Sequence, residues 1–150
     1  MQVRVLWIGK TRLPGVAELT EQYSRRLERF CRFRAEEIRA GGKGDKGRTA
    51  EEEMMLARSA DSRRVALDPQ GQRWNSADFA RILQTMQNDG QRAVSFCVGG
   101  ADGFSGGFRE SADLLLSLSP LTLPHELARV VLLEQLYRAF ALLAHHPYPR

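Results

Sequence analysis

Short apolar runs alternate with amphipathic stretches along the chain, and this alternation limits the possible folds more than any other feature of the sequence. Val3–Ile8 and Ala93–Val98 are almost unbroken apolar runs, as expected of buried strands. Between them, apolar residues recur at steps of three and four, as in amphipathic helices. Strands that alternate with helices predict an α/β domain with a mostly parallel sheet. A length of 150 residues suits a single domain over residues 1–150.

The same periodicity predicts where the individual elements lie. We expect strands at Val3–Ile8, Phe33–Ile38, Arg64–Asp68, Ala93–Val98 and Leu114–Leu118, and helices at Val16–Phe33, from Thr49 through Ala57, at Ser76–Gln87 and at Leu127–Ala144. The second strand is so charged that it suits only a sheet edge. Thr49 and Glu52 have capping-box spacing, which predicts a helix start at Thr49. Pro69 and Gly71 are expected to close the third strand, and Gly41–Gly47 to form a flexible loop.

Basic residues are concentrated in the first half of the chain. Residues 1–64 hold 15 of the 22 Lys and Arg residues and carry a balance of +5, whereas the remainder carries −1. Nineteen of the 22 are arginine, whose planar guanidinium holds phosphate bidentately. This distribution fits an RNA-binding surface and also a solvated helix face. With no signal peptide, membrane span, CxxC pair or metal-ligand spacing in view, we expect a cytoplasmic protein with reduced thiols, no membrane partner and no metal.

The first glycine cluster is similar to a phosphate-binding loop. Gly42–Thr49 differs from GxxxxGK[ST] at the lysine, where this chain has Arg48, and Val65–Asp68 has the form of a Walker B strand. The preceding strand is charged where that of a phosphate loop is apolar, so nucleotide hydrolysis is the weaker interpretation. A mobile basic loop that binds RNA phosphates through Lys43, Lys46 and Arg48 fits better. A plain flexible connection is the structural alternative.

Two further segments together predict a ligand pocket at the strand ends. Val98–Gly107 follows an apolar strand, and its Gly99–Gly100 pair leaves backbone groups open to a flat ligand. Its spacing is not that of the GxGxxG dinucleotide fingerprint, and alone it would indicate only a tight turn. Ser117–His125 holds two prolines where no regular element tolerates them. This rigid bend, beside the glycine pair, can hold a ligand by main-chain hydrogen bonds at the place where parallel sheets bind ligands.

With these segments in view, the sequence resembles the RlmH family of small SPOUT methyltransferases, over essentially the whole chain. The segments that carry the resemblance are Val65–Asp68, Val98–Ser105, Leu118–His125, Leu136–Ala139 and His146–Tyr148. The resemblance implies a trefoil-knotted SPOUT-type α/β fold, an obligate homodimer and S-adenosylmethionine as methyl donor. It also implies that the target is N3 of a pseudouridine in helix 69 of 23S ribosomal RNA, in the assembled ribosome. The tail departs from the family's His-Pro-Tyr-His-Arg, since Pro149 precedes Arg150 here.

The resemblance also implies which residues form the site. The donor-binding residues would be Leu67 at the end of the third strand, Gly100, and the run Ser119, Pro120, Leu121, Thr122, Leu123 and Pro124. Methylation at N3 replaces an N–H proton, so the site must remove that proton and align the ring with the donor. Residues suited to this task are clustered late in the chain: His125, Glu134, Tyr137, Arg138, Tyr148 and Arg150. The structural alternatives are a helix-start histidine bonded to backbone at position 125 and an i,i+4 ion pair between Glu134 and Arg138.

The last helix predicts self-association because it is apolar on more than one side. We expect a dimer through this helix, with the tail residues Tyr148 and Arg150 completing the site of the partner subunit. The alternative function is a non-enzymatic RNA-binding protein that uses the basic half of the chain. Such a protein would not need the Gly99–Gly100 turn beside the proline-containing bend.

Overall fold

Strands and helices alternate from end to end in a computed structural model that describes residues 1–148. The strands are β1 (Gln2–Ile8), β2 (Arg32–Ile38), β3 (Arg63–Arg73), β4 (Ala93–Val98) and β5 (Leu114–Ser117). The helices are α1 (Pro14–Leu27), α2 (Gly44–Arg58), α3 (Ser76–Asn88), α4 (Gly106–Ser111) and α5 (His125–Leu143). The predicted α/β class is confirmed, and each of the five predicted strands is present.

The strands form one parallel sheet in the order β2-β1-β4-β3-β5. β4 lies at the centre and is buried at every position, as its almost unbroken apolar run predicts. β2 lies at the edge, as its charge predicts. β2 and β3 are separated by β1 and β4, so the segment that follows β2 and contains Arg48 does not lie beside Asp68 of β3. This separation argues against the phosphate-loop interpretation.

Two helical layers cover the sheet, and the alternation of side chains along each strand supplies both. In β1, Val3, Val5 and Trp7 face the larger cluster, which includes residues of α1, α3 and α5. Leu6 and Ile8 face the smaller cluster, which includes residues of α2 and α4. α5 packs between α1 and α3, so its remaining side faces away from the sheet.

Helix α1 is shorter than predicted. The periodicity indicates a helix to Phe33, but α1 ends at Leu27, and the amide N–H groups of Phe30 and Cys31 donate to the carbonyl oxygen of Leu27 in a closing turn. Phe30 and Cys31 remain partly buried against the larger cluster. The apolar spacing therefore continues through the turn, which is why the pattern overestimates the helix.

Helix α2 begins earlier than predicted, at Gly44 within the expected flexible loop. The predicted capping box is wrong, because the Glu52 carboxylate accepts hydrogen bonds from the backbone N–H and hydroxyl of Ser105. Glycine allows the early start. A Cβ at Gly47 would lie 2.1 Å from the carbonyl oxygen of Gly42, so no larger residue permits this approach of backbone to backbone.

Strand β3 continues through the residues expected to end it. Leu67 and Gln72 both pair with Leu116 of β5, so the intervening residues, including Pro69 and Gly71, form a bulge. A proline is tolerated there because the ladder of hydrogen bonds is interrupted. A Cβ at Gly71 would lie 2.6 Å from the Leu115 carbonyl carbon, which explains the glycine. The bulge displaces the chain at the carboxyl edge of the sheet.

Among residues 1–148, no helix is long and apolar enough to cross a bilayer. The trefoil knot that the family resemblance implies stays a prediction.

Candidate functional site

Two cavities open side by side at the carboxyl edge of the sheet. The inner pocket, about 470 Å³, is lined by the segments that follow β3, β4 and β5 and by the start of α5. The outer cleft, about 890 Å³, lies between the ends of β1 and β2 and the starts of α2 and α5. The two share Gly100–Gly103 and His125 as a common wall. Both volumes lie in the usual range of ligand sites, roughly 300–1,000 Å³.

The inner pocket collects most of the residues predicted to bind a methyl donor. Its lining includes Leu67, Gly100, Ser119, Leu121, Thr122 and Leu123. The other two predicted residues, Pro120 and Pro124, are part of the bend but not of the lining, and Pro124 is the N-cap of α5. The structure therefore brings the three predicted segments together around one cavity.

Serine side chains hold the bend after β5 in shape. The Ser117 hydroxyl donates to the Ser119 carbonyl oxygen at 3.1 Å, and the Leu121 backbone N–H donates to the Ser119 hydroxyl at 2.9 Å. Leu121 itself is 75% exposed. The bend is thus set by local hydrogen bonds rather than by burial of its side chains, which leaves backbone groups near the pocket for a ligand.

The loop after β4 turns sharply and anchors the next helix. The Gly103 N–H donates to the Gly100 carbonyl oxygen at 3.0 Å, with Gly103 at φ +69. Ser105 caps α4 by accepting from the Phe108 N–H, while Glu52 of α2 accepts from Ser105. Through Glu52, helix α2 is tied directly to the loop that lines both cavities.

An ion pair at the rim of the inner pocket was not predicted from the sequence. Arg109 Nε lies 2.6 Å from Asp68 Oδ2, and the Asp68 carboxylate also accepts from the Gln70 backbone N–H. Both residues of the pair line the pocket. The sequence could have indicated Asp68 as a pocket residue. It is an acidic residue at the end of an apolar strand, and the ends of parallel strands form the ligand-binding edge of the sheet.

Two residues of α5 hold the loop that borders the outer cleft. The Glu126 carboxylate accepts from the backbone N–H groups of Arg12 and Leu13, each at 3.1 Å. These hydrogen bonds, that from Leu13 above all, hold the pKa of Glu126 below its usual value. The result is a fixed connection between the β1–α1 loop and the start of α5.

Arg129 makes the second connection and is 1% exposed. Its guanidinium donates to the Ile8 carbonyl oxygen and the Thr11 hydroxyl, both at 3.0 Å, and lies over the Trp7 ring at 5.1 Å. Burial lowers the pKa of Arg129. No local pattern in the sequence indicates this role, because the partners lie 118 and 121 residues away along the chain.

The predicted catalytic residues are divided between the two ends of α5. His125 lies at the wall shared by the cavities. Thirteen residues later, Arg138 is about 20 Å farther along the helix axis at 1.5 Å per residue. Arg150 lies outside the described residues. One chain therefore does not bring the predicted catalytic set together around its own inner pocket.

The residues at the far end of α5 form a compact aromatic and charged group, which we term the tail cluster: Tyr23, Arg26, Glu134, Tyr137, Arg138 and Tyr148. Arg138 Nη2 lies 2.6 Å from Glu134 Oε1, so the predicted i,i+4 pair is present. The Arg138 guanidinium also lies 4.9 Å from the Tyr148 ring centroid. The Tyr148 ring packs edge-on against Tyr137 at 4.5 Å.

Helix α1 contributes two residues to the tail cluster that the sequence did not single out. The hydroxyl oxygens of Tyr23 and Tyr148 lie 3.4 Å apart. The Arg26 guanidinium lies 5.4 Å from the Tyr23 ring centroid and 5.6 Å from that of Tyr137. Burial, followed by the hydrogen bond with Tyr23, raises the pKa of Tyr148, so this phenol stays protonated at neutral pH.

The predicted RNA-binding cations lie at the start of α2, beside the outer cleft. Lys43 is the N-cap of α2, Lys46 follows in the first turn, and Arg48 lines the cleft. Arg48 Nη2 is 3.6 Å from the exposed Asp45 carboxylate, a loose pair of little energetic weight. These cations are thus held on a helix rather than on the mobile loop predicted from the glycines. Within residues 1–148, no group of His, Cys, Asp and Glu side chains could hold a metal ion.

Comparison with known proteins gives matches over the whole chain. The family described as "Predicted SPOUT methyltransferase" matches residues 1–149. A protein of Thermus thermophilus named "Ribosomal RNA large subunit methyltransferase H" is 41% identical over 150 residues, covering 100% of this chain and 99% of that protein. A protein of Nitrosococcus oceani with the same name is 40% identical over 157 residues, with the same coverage.

Solved structures with similar folds are also methyltransferases by title. A probable methylase family protein from Haemophilus influenzae matches with a TM-score of 0.61 at 9% identity, over 99% of this chain and 70% of that chain. The SpoU methyltransferase AviRb from Streptomyces viridochromogenes, solved in complex with the cofactor AdoMet, matches with a TM-score of 0.51 at 17% identity, over 95% and 58%. At these identities the likeness concerns the fold alone.

Proposed function

Since the chain belongs to the SPOUT methyltransferase family, we propose that it methylates N3 of a pseudouridine in helix 69 of 23S ribosomal RNA, in the assembled ribosome, with S-adenosylmethionine as donor. The names of the full-length relatives support a large-subunit ribosomal RNA substrate. The nucleotide, the atom and the assembled ribosome rest on the resemblance to the RlmH family. Because ribosomes are its substrate, the protein acts in the cytoplasm.

One observation carries the proposal: three segments distant in sequence enclose a single pocket that fits the donor. Leu67 and Leu116 offer apolar surface suited to a flat adenine ring, and the Gly99–Gly100 turn keeps that space free of side chains. The bend at Ser119–Leu123 offers main-chain donors and acceptors for the polar edge of such a ring. When bound, S-adenosylmethionine supplies an electrophilic methyl group on its sulfonium.

The wall between the two cavities is where the reacting atoms would meet. A nucleotide base in the outer cleft would lie across the Gly100–Gly103 loop from a donor in the inner pocket. Of the predicted catalytic residues that the structure describes, His125 is the one at this wall, and we assign it as candidate acceptor of the N3 proton. Holding the base and the donor in register is worth up to about 7–11 kcal/mol of the barrier.

The distance along α5 supports a composite site made by two subunits. Arg138 of the tail cluster lies about 15 Å along α5 from Ala128, which lines the inner pocket, so we propose that the cluster serves the pocket of the partner. Leu127 and Val131 lie on the same helix face as Glu134 and Arg138, at steps of three and four. Leu127 is 45% exposed. We therefore propose a homodimer through this face of α5, with Tyr148 and Arg150 entering the partner's site.

The test begins with calorimetry of the full-length protein with S-adenosylmethionine and, separately, with ATP. Micromolar binding of the first supports the proposal, whereas binding of ATP alone would revive the phosphate-loop alternative. Tritiated donor is then supplied with ribosomes that lack the modification, and with protein-free 23S RNA. Nuclease digestion and mass spectrometry should place one methyl group on N3 of a pseudouridine, in assembled ribosomes only. No transfer to either substrate would contradict the proposal and favour the non-enzymatic alternative.

A further inference from the structure

The guanidinium of Arg26 occupies an unusual position within the tail cluster. It is partly buried at the end of α1, between the faces of Tyr23 and Tyr137, at 5.4 and 5.6 Å from the ring centroids. The rings restrict its rotamers, so the charge is held in place before any ligand arrives. Through Tyr23 it is also linked to Tyr148, whose hydroxyl is 3.4 Å from that of Tyr23.

The charge of Arg26 is not balanced by an acidic side chain. Among residues 1–148, no carboxylate lies within 4 Å of its guanidinium and no side chain or carbonyl accepts a hydrogen bond from it. Two nearby arginines do have such partners: Arg25 pairs with Glu21, and Arg138 pairs with Glu134. The five N–H donors of the Arg26 fork are thus available to an anion from outside the chain.

We propose that Arg26 binds a backbone phosphate of the RNA next to the target nucleotide, and that Tyr23 is a positioning residue for Tyr148. The inference rests on the function proposed above and extends it to α1. A phosphate is the anion that fits because the fork matches two phosphate oxygens, and the partly exposed rings of Tyr23 and Tyr148 nearby are of the kind that stacks on bases. The cluster would then hold a nucleotide by its charge and its ring together.

Because the tail cluster lies far from its own inner pocket, Arg26 acts on RNA in the partner's site. Its own chain contributes the donor pocket to the other active site of the dimer. This arrangement predicts how mixed dimers behave. When one subunit has a defective Arg26 and the other has a defective donor pocket, one of the two active sites should still be intact.

The first experiment measures steady-state methylation of unmodified ribosomes by Arg26→Gln. We expect the KM for ribosomes to rise about tenfold, with S-adenosylmethionine affinity unchanged, and the slope of log KM against log salt to fall by about one phosphate contact. Arg25→Gln is the matched control, because it removes the same charge one residue away and should change neither quantity by as much. Arg26→Lys should recover part of the loss. Equal effects of the two glutamine variants would overturn the proposal.

The second experiment uses heterodimers purified with two different affinity tags. One subunit carries Gly100→Val, chosen to block donor binding, and the other carries Arg26→Gln. If Arg26 acts across the interface, the one working donor pocket faces an intact Arg26, and the KM for ribosomes is that of the wild type. A KM as high as that of the Arg26→Gln homodimer would contradict action in the partner's site.

Tyr23→Phe tests the positioning role, since it keeps the ring under Arg26 and removes the hydroxyl beside Tyr148. We expect kcat to fall while the KM for ribosomes and the unfolding midpoint stay unchanged. An unchanged kcat would remove Tyr23 from the mechanism. If the wild-type protein methylates ribosomes and the variants do not differ as stated, this inference fails while the proposed function stands. If the wild type transfers no methyl group, the proposed function has failed first.

Discussion

Gly99 and Gly100 are adjacent but differ in what a side chain would meet. A Cβ at Gly99 would lie 3.3 Å from the Gly103 carbonyl carbon, which is tighter than normal packing. A Cβ at Gly100 would meet nothing nearer than the Ile8 side chain at 3.9 Å. The fold therefore accepts a side chain at Gly100, and the free space there is a property of the cavities that it lines rather than of the turn.

We predict that Gly100→Val folds normally and loses donor binding. The branched side chain would occupy space at the shared wall, and affinity for S-adenosylmethionine should fall by more than about tenfold, or ~1.4 kcal/mol. Calorimetry and thermal unfolding measure the two effects separately. Gly15→Val is a matched control, because a Cβ at Gly15 meets nothing within 4 Å and the position lies outside both cavities. Wild-type affinity in Gly100→Val would remove this residue from the site.

The second residue-scale prediction concerns pH. The pKa of Glu126 is depressed in the folded chain, so its ionised form stabilises the fold above its unfolded pKa of about 4.3. That contribution is lost as the pH falls through the lower folded value. Glu126→Gln should therefore be less stable than the wild type by about 1 kcal/mol at pH 7, with the difference shrinking below about pH 4. Urea titrations at pH 7 and pH 3.5 measure it; a difference independent of pH would contradict the ionised hydrogen bonds.

Residues whose placement depends on the local sequence could be predicted, and those whose contacts depend on distant partners could not. Gly100 and the Ser119–Leu123 run follow strands directly, so the parallel sheet places them at its ligand edge. From the sequence, Glu126 and Arg129 look like ordinary residues of a helix. Their function depends on a loop more than 110 residues earlier, which no spacing within α5 reveals.

At the scale of elements, apolar periodicity predicted the existence of strands and long helices but not every boundary. α1 was overestimated because Phe30 and Cys31 keep the apolar spacing in a turn. α2 was underestimated because glycines usually end helices, whereas here they allow backbone contact at the helix start. β3 was cut short because a proline within a bulge looks the same in sequence as a proline that ends a strand.

The tail gives the element-scale prediction. Deleting Tyr148–Arg150 should leave the dimer and donor affinity nearly intact, because the inner pocket is built from other segments. Methyl transfer to unmodified ribosomes should fall by about 10²-fold or more, as expected when a reacting group is no longer held in place. Size-exclusion chromatography with light scattering, calorimetry and the tritium assay measure the three quantities. Full transfer by the truncated protein would show that the tail is dispensable.

At the scale of the whole molecule, the proposed dimer depends on the free side of α5. α1 and α3 cover two sides of this helix, and Leu127 and Val131 lie on the outward face that also carries Glu134 and Arg138. This surface combines apolar residues with a candidate catalytic pair. Such a surface suits a dimer interface that also forms part of an active site. We therefore expect dimer formation and methyl transfer to depend on the same face of α5.

Val131→Asp should separate the subunits. Placing an unpaired carboxylate in a buried interface costs several kcal/mol, enough to give a monomeric mass at micromolar concentration. Methyl transfer should be lost while binding of S-adenosylmethionine persists, since each chain holds its own inner pocket. Met54→Asp is the control, because Met54 is 44% exposed on α2, in the opposite layer. A wild-type protein that is itself monomeric by light scattering would refute the dimer.

The strand order also has a consequence for synthesis. β1 pairs with β2 on one side and with β4 on the other, and the first pair of residues in the β1–β4 register is Gln2 and Ala93. At about 5–20 residues per second, β1 is complete roughly 4–17 s before the first residues of β4 are made. α5, which covers α1, is translated last of all the helices. The sheet therefore cannot be completed until β4 and β5 have been made, and the inner pocket cannot close until the start of α5 has followed them.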